Sequence, residues 1–247
     1  NNSSISLNLL DYYQDIMLFF TLVLIAVAAV NVFATTGVDI SQRTYRSSWD
    51  CAKSYGYNFA IVRVYCSTGK PDSNGPANIN DAWAAGFAHV DGYIFPCYSC
   101  GNPKKQVDDT INYLSSHGIT YYNRESLEAN ATVSASTGVK YGMLWFDIEG
   151  TQYWSSSASN NINFLQQMVD EAKARGISVG IYSSSSQWSP IMGGTSQFKS
   201  LPLWYAHWDA KLTMSDFSSF GGWTKPAMKQ YAGDQSFCSA GWDKNYY

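Results

Sequence analysis

Trp145-Phe146-Asp147-Ile148-Glu149 is the stretch of this chain best equipped for chemistry. In an extended strand, residues two apart share a face, so Trp145, Asp147 and Glu149 point one way while Phe146 and Ile148 point the other. Two carboxyls held that close repel each other as anions, which favours one of them keeping its proton near neutral pH. A protonated carboxyl beside an ionised one is the pair that general acid cleavage of a glycosidic bond requires. An isolated Asp-x-Glu is short and common, and can equally cap a helix or pair with a base. Two further acids in equivalent places favour catalysis here: Asp39 in Gly37-Val38-Asp39-Ile40-Ser41, and Asp243 in Gly241-Trp242-Asp243-Lys244-Asn245.

Aromatic residues make up 16% of the chain. Tyr65, Tyr98, Tyr182, Trp204 and Trp208 fall at or just beyond expected strand ends, where rings can stack on the apolar faces of sugars while amides and carboxylates bind the hydroxyls. Any one of them could equally be core. With Asp209 and Gln230 they form the expected substrate-binding set. His89, His117 and His207 are far apart in sequence, so no metal centre is expected. Ser183 to Ser186 lacks the Gly-x-Ser-x-Gly elbow of serine hydrolases. No cofactor is expected.

Strand-like runs alternate with segments of helical period. Residues 37–41, 58–65, 92–96, 142–149, 177–183, 201–207 and 227–231 read as strands, with a last short element near 242–246. Residues 47–55, 78–87, 104–117 and 159–175 read as helices, the last two stopped by Gly118 and Gly176. This order predicts an α/β fold with a parallel sheet, and about eight strands suggest a TIM-like (β/α) barrel, irregular because helices fade in the last third. A doubly wound open sheet is the alternative, weakened by the lack of a Gly-rich dinucleotide fingerprint. Barrel enzymes carry their reacting groups at the carboxyl ends of strands, where Asp147 and Glu149 fall. Residues 119–138 interrupt the rhythm as a polar, surface-loop-like insert containing a glycosylation triplet, Asn130-Ala131-Thr132.

Residues 17–34 are apolar and end in small side chains, as in a signal peptide. The run is shorter than the ~20 apolar residues of a membrane span, and no stable membrane insertion is expected after cleavage. No Lys or Arg precedes it, and residues 1–16 read as leader sequence ahead of Met17. The remainder, residues 35–247, reads as a single domain. Removing the first 34 residues takes away Asp11 and Asp15 and no base, leaving 17 acids against 16 bases. Such a surface does not steer polyanions, so nucleic acid is not an expected partner. This slightly acidic balance predicts optimum activity at acidic pH, where an anionic wall and an acidic enzyme repel less. Five cysteines in an oxidising compartment leave at least one unpaired, and Cys97-Tyr98-Ser99-Cys100 reads as a structural disulfide.

From Gly37 to Tyr247 the chain resembles glycoside hydrolase family 25, the Chalaropsis-type lysozymes, and most of all the members found in nematodes and amoeboid protists. The carriers are GVDIS (37–41), FAIVRVYCSTGKPD (59–72), AWAAGF (82–87), DGYIFPC (91–97), WFDIEG (145–150), ARGISVGIYSS (174–184), PLWYAHW (202–208), KQYAG (229–233) and the terminal WDKNYY. The resemblance implies an irregular barrel with about five helices, acting on the β-1,4 bond between N-acetylmuramic acid and N-acetylglucosamine of bacterial peptidoglycan. It implies Glu149 as the proton donor and Asp147 as the group that orients the substrate's acetamide or stabilises developing charge, with Asp39 and Asp243 completing an acidic floor. In such proteins the helix ending near Gly118 leads almost directly into a strand like Val139-Lys140-Tyr141, so the insert is a departure. The chain is expected to act as a monomer, secreted or in a lysosomal or phagosomal lumen. A non-catalytic peptidoglycan- or chitin-binding barrel and a chitin-directed glycosidase are the alternatives.

Overall fold

The computed structural model describes residues 35–122 and 139–247; the leader and signal segments expected before residue 35, and most of the expected insert, lie outside the described residues. Eight strands close into a barrel: β1 (Thr36–Ile40), β2 (Phe59–Cys66), β4 (His89–Ile94), β7 (Leu144–Asp147), β8 (Val179–Ser183), β9 (Leu203–Ala206), β10 (Met228–Phe237) and β11 (Ala240–Tyr246). The two-residue β3 (Lys70–Pro71) folds back on β2. Neighbours in the ring are parallel except β11, which runs antiparallel to both β10 and β1 and so closes the barrel. The helices are α1 (Arg46–Ser54), α2 (Gly75–Ala84), α3 (Pro103–Ser116), α4 (Ala158–Ala174) and α5 (Ser185–Met192). The open-sheet alternative is thereby excluded.

Alternation along each strand sorts side chains into two cores. Inward-facing Phe59, Ile61, Tyr93, Trp145, Tyr182, Trp204 and Met228 fill the lumen. Outward-facing Val38, Val62, Ile94, Phe146, Ile181 and Leu203 pack beneath the helices, against residues such as Val107, Leu165 and Val169. Gly180 makes room for the bulky lumen: a Cβ there would come within 2.3 Å of the Trp145 ring. The α4 stripe is set at its start by Ser157, whose side chain accepts from the Asn160 amide, and stopped by Gly176 at φ +73°.

The structure departs from the sequence reading in several places. Ser185–Met192 is helical although Ser-rich and interrupted by Pro190, because Trp188, Ile191 and Met192 recur at i, i+3 and i+4 and are all buried. Ile119–Tyr121, the opening of the expected insert, forms a strand (β5) that pairs in parallel with β6 (Val139–Tyr141), and Ile119 is buried. Cys51 on α1 is bonded to Cys238 in the β10–β11 turn, Cys97 is bonded to Cys100, and Cys66 keeps a free thiol.

Candidate active site

Asp39 and Asp147 near the carboxyl ends of β1 and β7, Glu149 just beyond β7, and Asp243 on the antiparallel β11 come together at one rim. Asp39 and Asp243 stand opposite each other in the β1–β11 register, where side chains on one face lie within about 5 Å. Like charges so placed repel. The amide of Gln230, from β10, bridges them: its Nε2 donates to Asp39 Oδ1 at 2.9 Å and to Asp243 Oδ2 at 3.3 Å. Asn245, two residues beyond Asp243 and so on the same face, donates to Asp39 Oδ1 at 2.7 Å and accepts from the Trp204 indole at 2.8 Å. The Asp234 amide holds the other oxygen of Asp243 at 2.7 Å.

Burial raises the pKa of every member of the group. Asp147 is only 4% exposed and is pushed well above the usual carboxylate range by desolvation, and further by the charges of Glu149 and Asp39. Its Oδ1 is buried and finds no hydrogen-bond partner among the described residues. Asp39 is raised by burial and by Asp243, against the two amide bonds that favour its ionised form. Glu149 is raised by burial and by Asp243, yet remains partly open to solvent. Asp243 is raised by burial, opposed by the Asp234 amide. A partly accessible acid beside buried, mutually repelling carboxyls keeps its proton to higher pH than a free carboxyl and can deliver it to a ligand.

The family model for Lysozyme-like protein 1 matches residues 30–127 and 123–231. A relative named Probable GH family 25 lysozyme 2, from Dictyostelium discoideum, is 43% identical over 94% of this chain and 100% of its own length. Lysozyme-like protein 5 of Caenorhabditis elegans is 36% identical over 92% of the chain and 98% of its own length. This chain belongs to glycoside hydrolase family 25. Solved structures share the fold at lower identity: the bacterial lysozyme from Streptomyces coelicolor superposes with a TM-score of 0.65 at 22% identity, covering 87% of this chain and 92% of that one. The muramidase from Trichobolus zukalii superposes with a TM-score of 0.64 at 20% identity, covering 86% and 92%.

Within this family 25 barrel the expected ligand contacts divide. Tyr182 and Trp208 both donate to Gln230 Oε1, at 2.8 and 2.7 Å, and Trp204 reaches the acids through Asn245. Tyr182 and Trp204 are nevertheless buried lumen side chains, packed edge to face with ring centroids 4.5 Å apart, whereas Trp208 is 56% exposed. Tyr65, Tyr98 and Asp209 are not brought to the acids. Tyr65 would face the lumen by simple alternation with Arg63, but β2 carries a register shift between these residues that turns Tyr65 into the outer core. Tyr98 packs on Trp154 and Phe164 near the start of α4. Asp209 pairs with Lys229 at 2.8 Å, on the face of β10 opposite Gln230.

Several members escaped the sequence reading. Asn245 was within reach of the same i, i+2 rule that joins Asp147 to Glu149. Tyr93 lies among the acids, and burial together with the Asp39 and Asp147 charges raises its hydroxyl. Asp91 accepts from the Trp145 indole at 2.9 Å and the Met143 amide at 3.0 Å, anchoring β7. Phe95 and the exposed Tyr153, edge to face at 5.1 Å, are further rings on loops that follow β4 and β7. Around His207, where no metal grouping was expected, ligand atoms of His207, Asp209 and Asp216 lie within 4.8 Å of one another. The Lys229 ammonium already bonds to both carboxylates there.

Proposed function

We propose that this family 25 glycosidase is a lysozyme that cleaves the β-1,4 bond between N-acetylmuramic acid and N-acetylglucosamine in bacterial peptidoglycan, with Glu149 as proton donor. The observation that carries this reading is the pairing of a partly accessible Glu149, its pKa raised by burial and by Asp243, with the deeply buried Asp147 that ends β7 two residues before it. Glu149 protonates the departing glycosidic oxygen. The Oδ1 of Asp147, buried and without a partner among the described residues, accepts a hydrogen bond from the substrate acetamide. Asp39 and Asp243, steadied by Gln230 and Asn245, complete the negative floor that favours positive charge developing on the sugar. The names of the relatives support the substrate.

Secretion fits the same reading. The two disulfides suit an oxidising compartment. Among the described residues no helix is long and apolar enough to cross a membrane. Residues 17–34 serve as the signal peptide in this proposal, and the released monomer digests bacteria or defends against them.

Mass analysis of fragments released from purified peptidoglycan tests bond and substrate together: muropeptides ending in reducing N-acetylmuramic acid are expected, with little release from chitin. Replacing Glu149 by Gln should lower kcat by about 10²–10⁴-fold, the usual contribution of a general acid, with the fold intact by circular dichroism. Chitin as the preferred substrate, or full clearing by the Gln variant, overturns the proposal.

A further inference from the structure

The segment 207–217, between β9 and β10, carries no helix or strand. Two backbone bonds tie its start to β10: the His207 amide donates to the Gln230 carbonyl at 3.0 Å and the Ala210 amide to the Tyr231 carbonyl at 2.9 Å. Phe217 packs its far end against Tyr205 and Phe220, and between these anchors one side chain gathers the segment. Lys229 Nζ donates to the Thr213 carbonyl at 3.0 Å and to Asp216 Oδ2 at 3.0 Å, and pairs with Asp209 Oδ1 at 2.8 Å. An ammonium has three donors, and all three are used here on the same segment. Asp216 Oδ2 also lies 2.6 Å from His207 Nδ1, tying the segment's two ends together.

Lys229 is fully buried on the outer face of a barrel strand, where β2, β8 and β9 place Val62, Ile181 and Leu203. A buried charge is costly to desolvate, and a wholly apolar cluster in place of Lys229 and its carboxylates would stabilise the wall about as well. What the ammonium adds is a fixed path for the segment. On the inner face the next residue, Gln230, binds the Trp208 indole, whose exposed ring lies over Gly233 so closely that a Cβ there would come within 2.2 Å of it. Lys229 and Gln230, adjacent on β10 and facing opposite ways, thus grip the segment from outside and inside the barrel. The result is a large, solvent-facing ring held in one orientation one side chain away from Asp39 and Asp243.

We propose that Lys229 is a positioning residue for glycan binding: through Asp209, Thr213 and Asp216 it fixes the 207–217 segment, and so sets Trp208 as an aromatic platform at the rim of the acidic cleft. The inference rests on the glycosidase reading above and adds to it a device outside the cleft.

The test is a double-mutant cycle on soluble peptidoglycan fragments. Lys229→Met should raise KM roughly tenfold, the worth of one well-placed aromatic contact, and leave kcat within about twofold. In a Trp208→Ala background the same change should have no further effect, because the two residues act through one contact. Hydrogen exchange of the Trp208 indole, identified in NMR spectra by comparison with Trp208→Phe, should quicken by roughly tenfold in Lys229→Met. Asp216→Asn cuts the same clasp at its more accessible end and should give a smaller change of the same sign, which keeps the test available if Lys229→Met does not fold. A KM penalty that persists undiminished without Trp208, or unchanged indole exchange, overturns the inference. Wild-type protein that releases no glycan fragments would instead refute the glycosidase reading, while the indole measurement still decides whether Lys229 holds Trp208.

Discussion

At the scale of residues, the four carboxyls of the cleft work as a set because each neighbour changes what the others can hold. The charge of Asp243 stands second only to burial in raising Glu149, and a negative neighbour favours the protonated form. Removing that charge lowers the Glu149 pKa, so Asp243→Asn should move the alkaline limb of the kcat/KM profile to lower pH. The wild-type profile itself should peak below pH 7. A limb that stays in place, with Asp243 neutral, would assign the proton to another group. This group was largely legible in the sequence. Asp147 and Glu149 follow from period two alone, and Asp39 and Asp243 from their places in strand-like runs. Tyr65 was not legible, since a register shift in β2 reverses its face and leaves no mark in composition. Lys229 was hidden for a different reason: a lysine reads as solvent-exposed, and only the fold shows three acceptors gathered around it.

Individual elements owe their places to unequal staples. The Cys51–Cys238 bond joins α1 to the β10–β11 turn across 187 residues, whereas Cys97–Cys100 spans three. A cross-link that closes a long loop restricts the unfolded chain far more than one closing a short loop. The Cys51→Ala/Cys238→Ala protein should lose on the order of 2–5 kcal/mol, a fall in Tm of roughly 5–15 °C by calorimetry, and Cys97→Ala/Cys100→Ala clearly less. Equal losses would show that local geometry, not loop length, sets the contribution. The parallel strands and α3 and α4 were readable from period and from the stops at Gly118 and Gly176. Helix α5 was not, because Ser185, Ser186 and Pro190 disguise a segment that tertiary burial of Trp188 makes helical. Strand β5 was lost in the same way, three residues beside a polar stretch.

For the molecule as a whole, two populations of carboxyls pull stability in opposite directions with pH. Asp39, Asp147, Glu149 and Asp243 bind protons more tightly when folded. The native state therefore loses stability as pH rises from the unfolded carboxyl range, about 4, through their raised values. Asp216, lowered to about 2 chiefly by the hydrogen bonds to Lys229 and His207 working against desolvation, behaves oppositely, as does the lowered Asp209. Their stabilisation is complete above about 4–5 and is lost as pH falls toward 2. Tm should thus be highest between about pH 4 and 6 and decline toward pH 8, and Asp147→Asn, which removes a buried charge, should flatten that decline. A Tm that climbs steadily from pH 5 to 8 would show that the cleft acids ionise without strain. Such a penalty at neutral pH is what gathering four acids in one cleft costs a protein otherwise built like any filled barrel.

Strand β11 adds a constraint in time. Among the eight barrel strands it alone runs against its neighbours, it seals β10 to β1, and it carries Asp243 and Asn245. A nascent chain that has not yet delivered Ala240–Tyr246 therefore has neither a closed wall nor the full group of acids, so barrel and cleft can be completed only together, once that strand has left the ribosome.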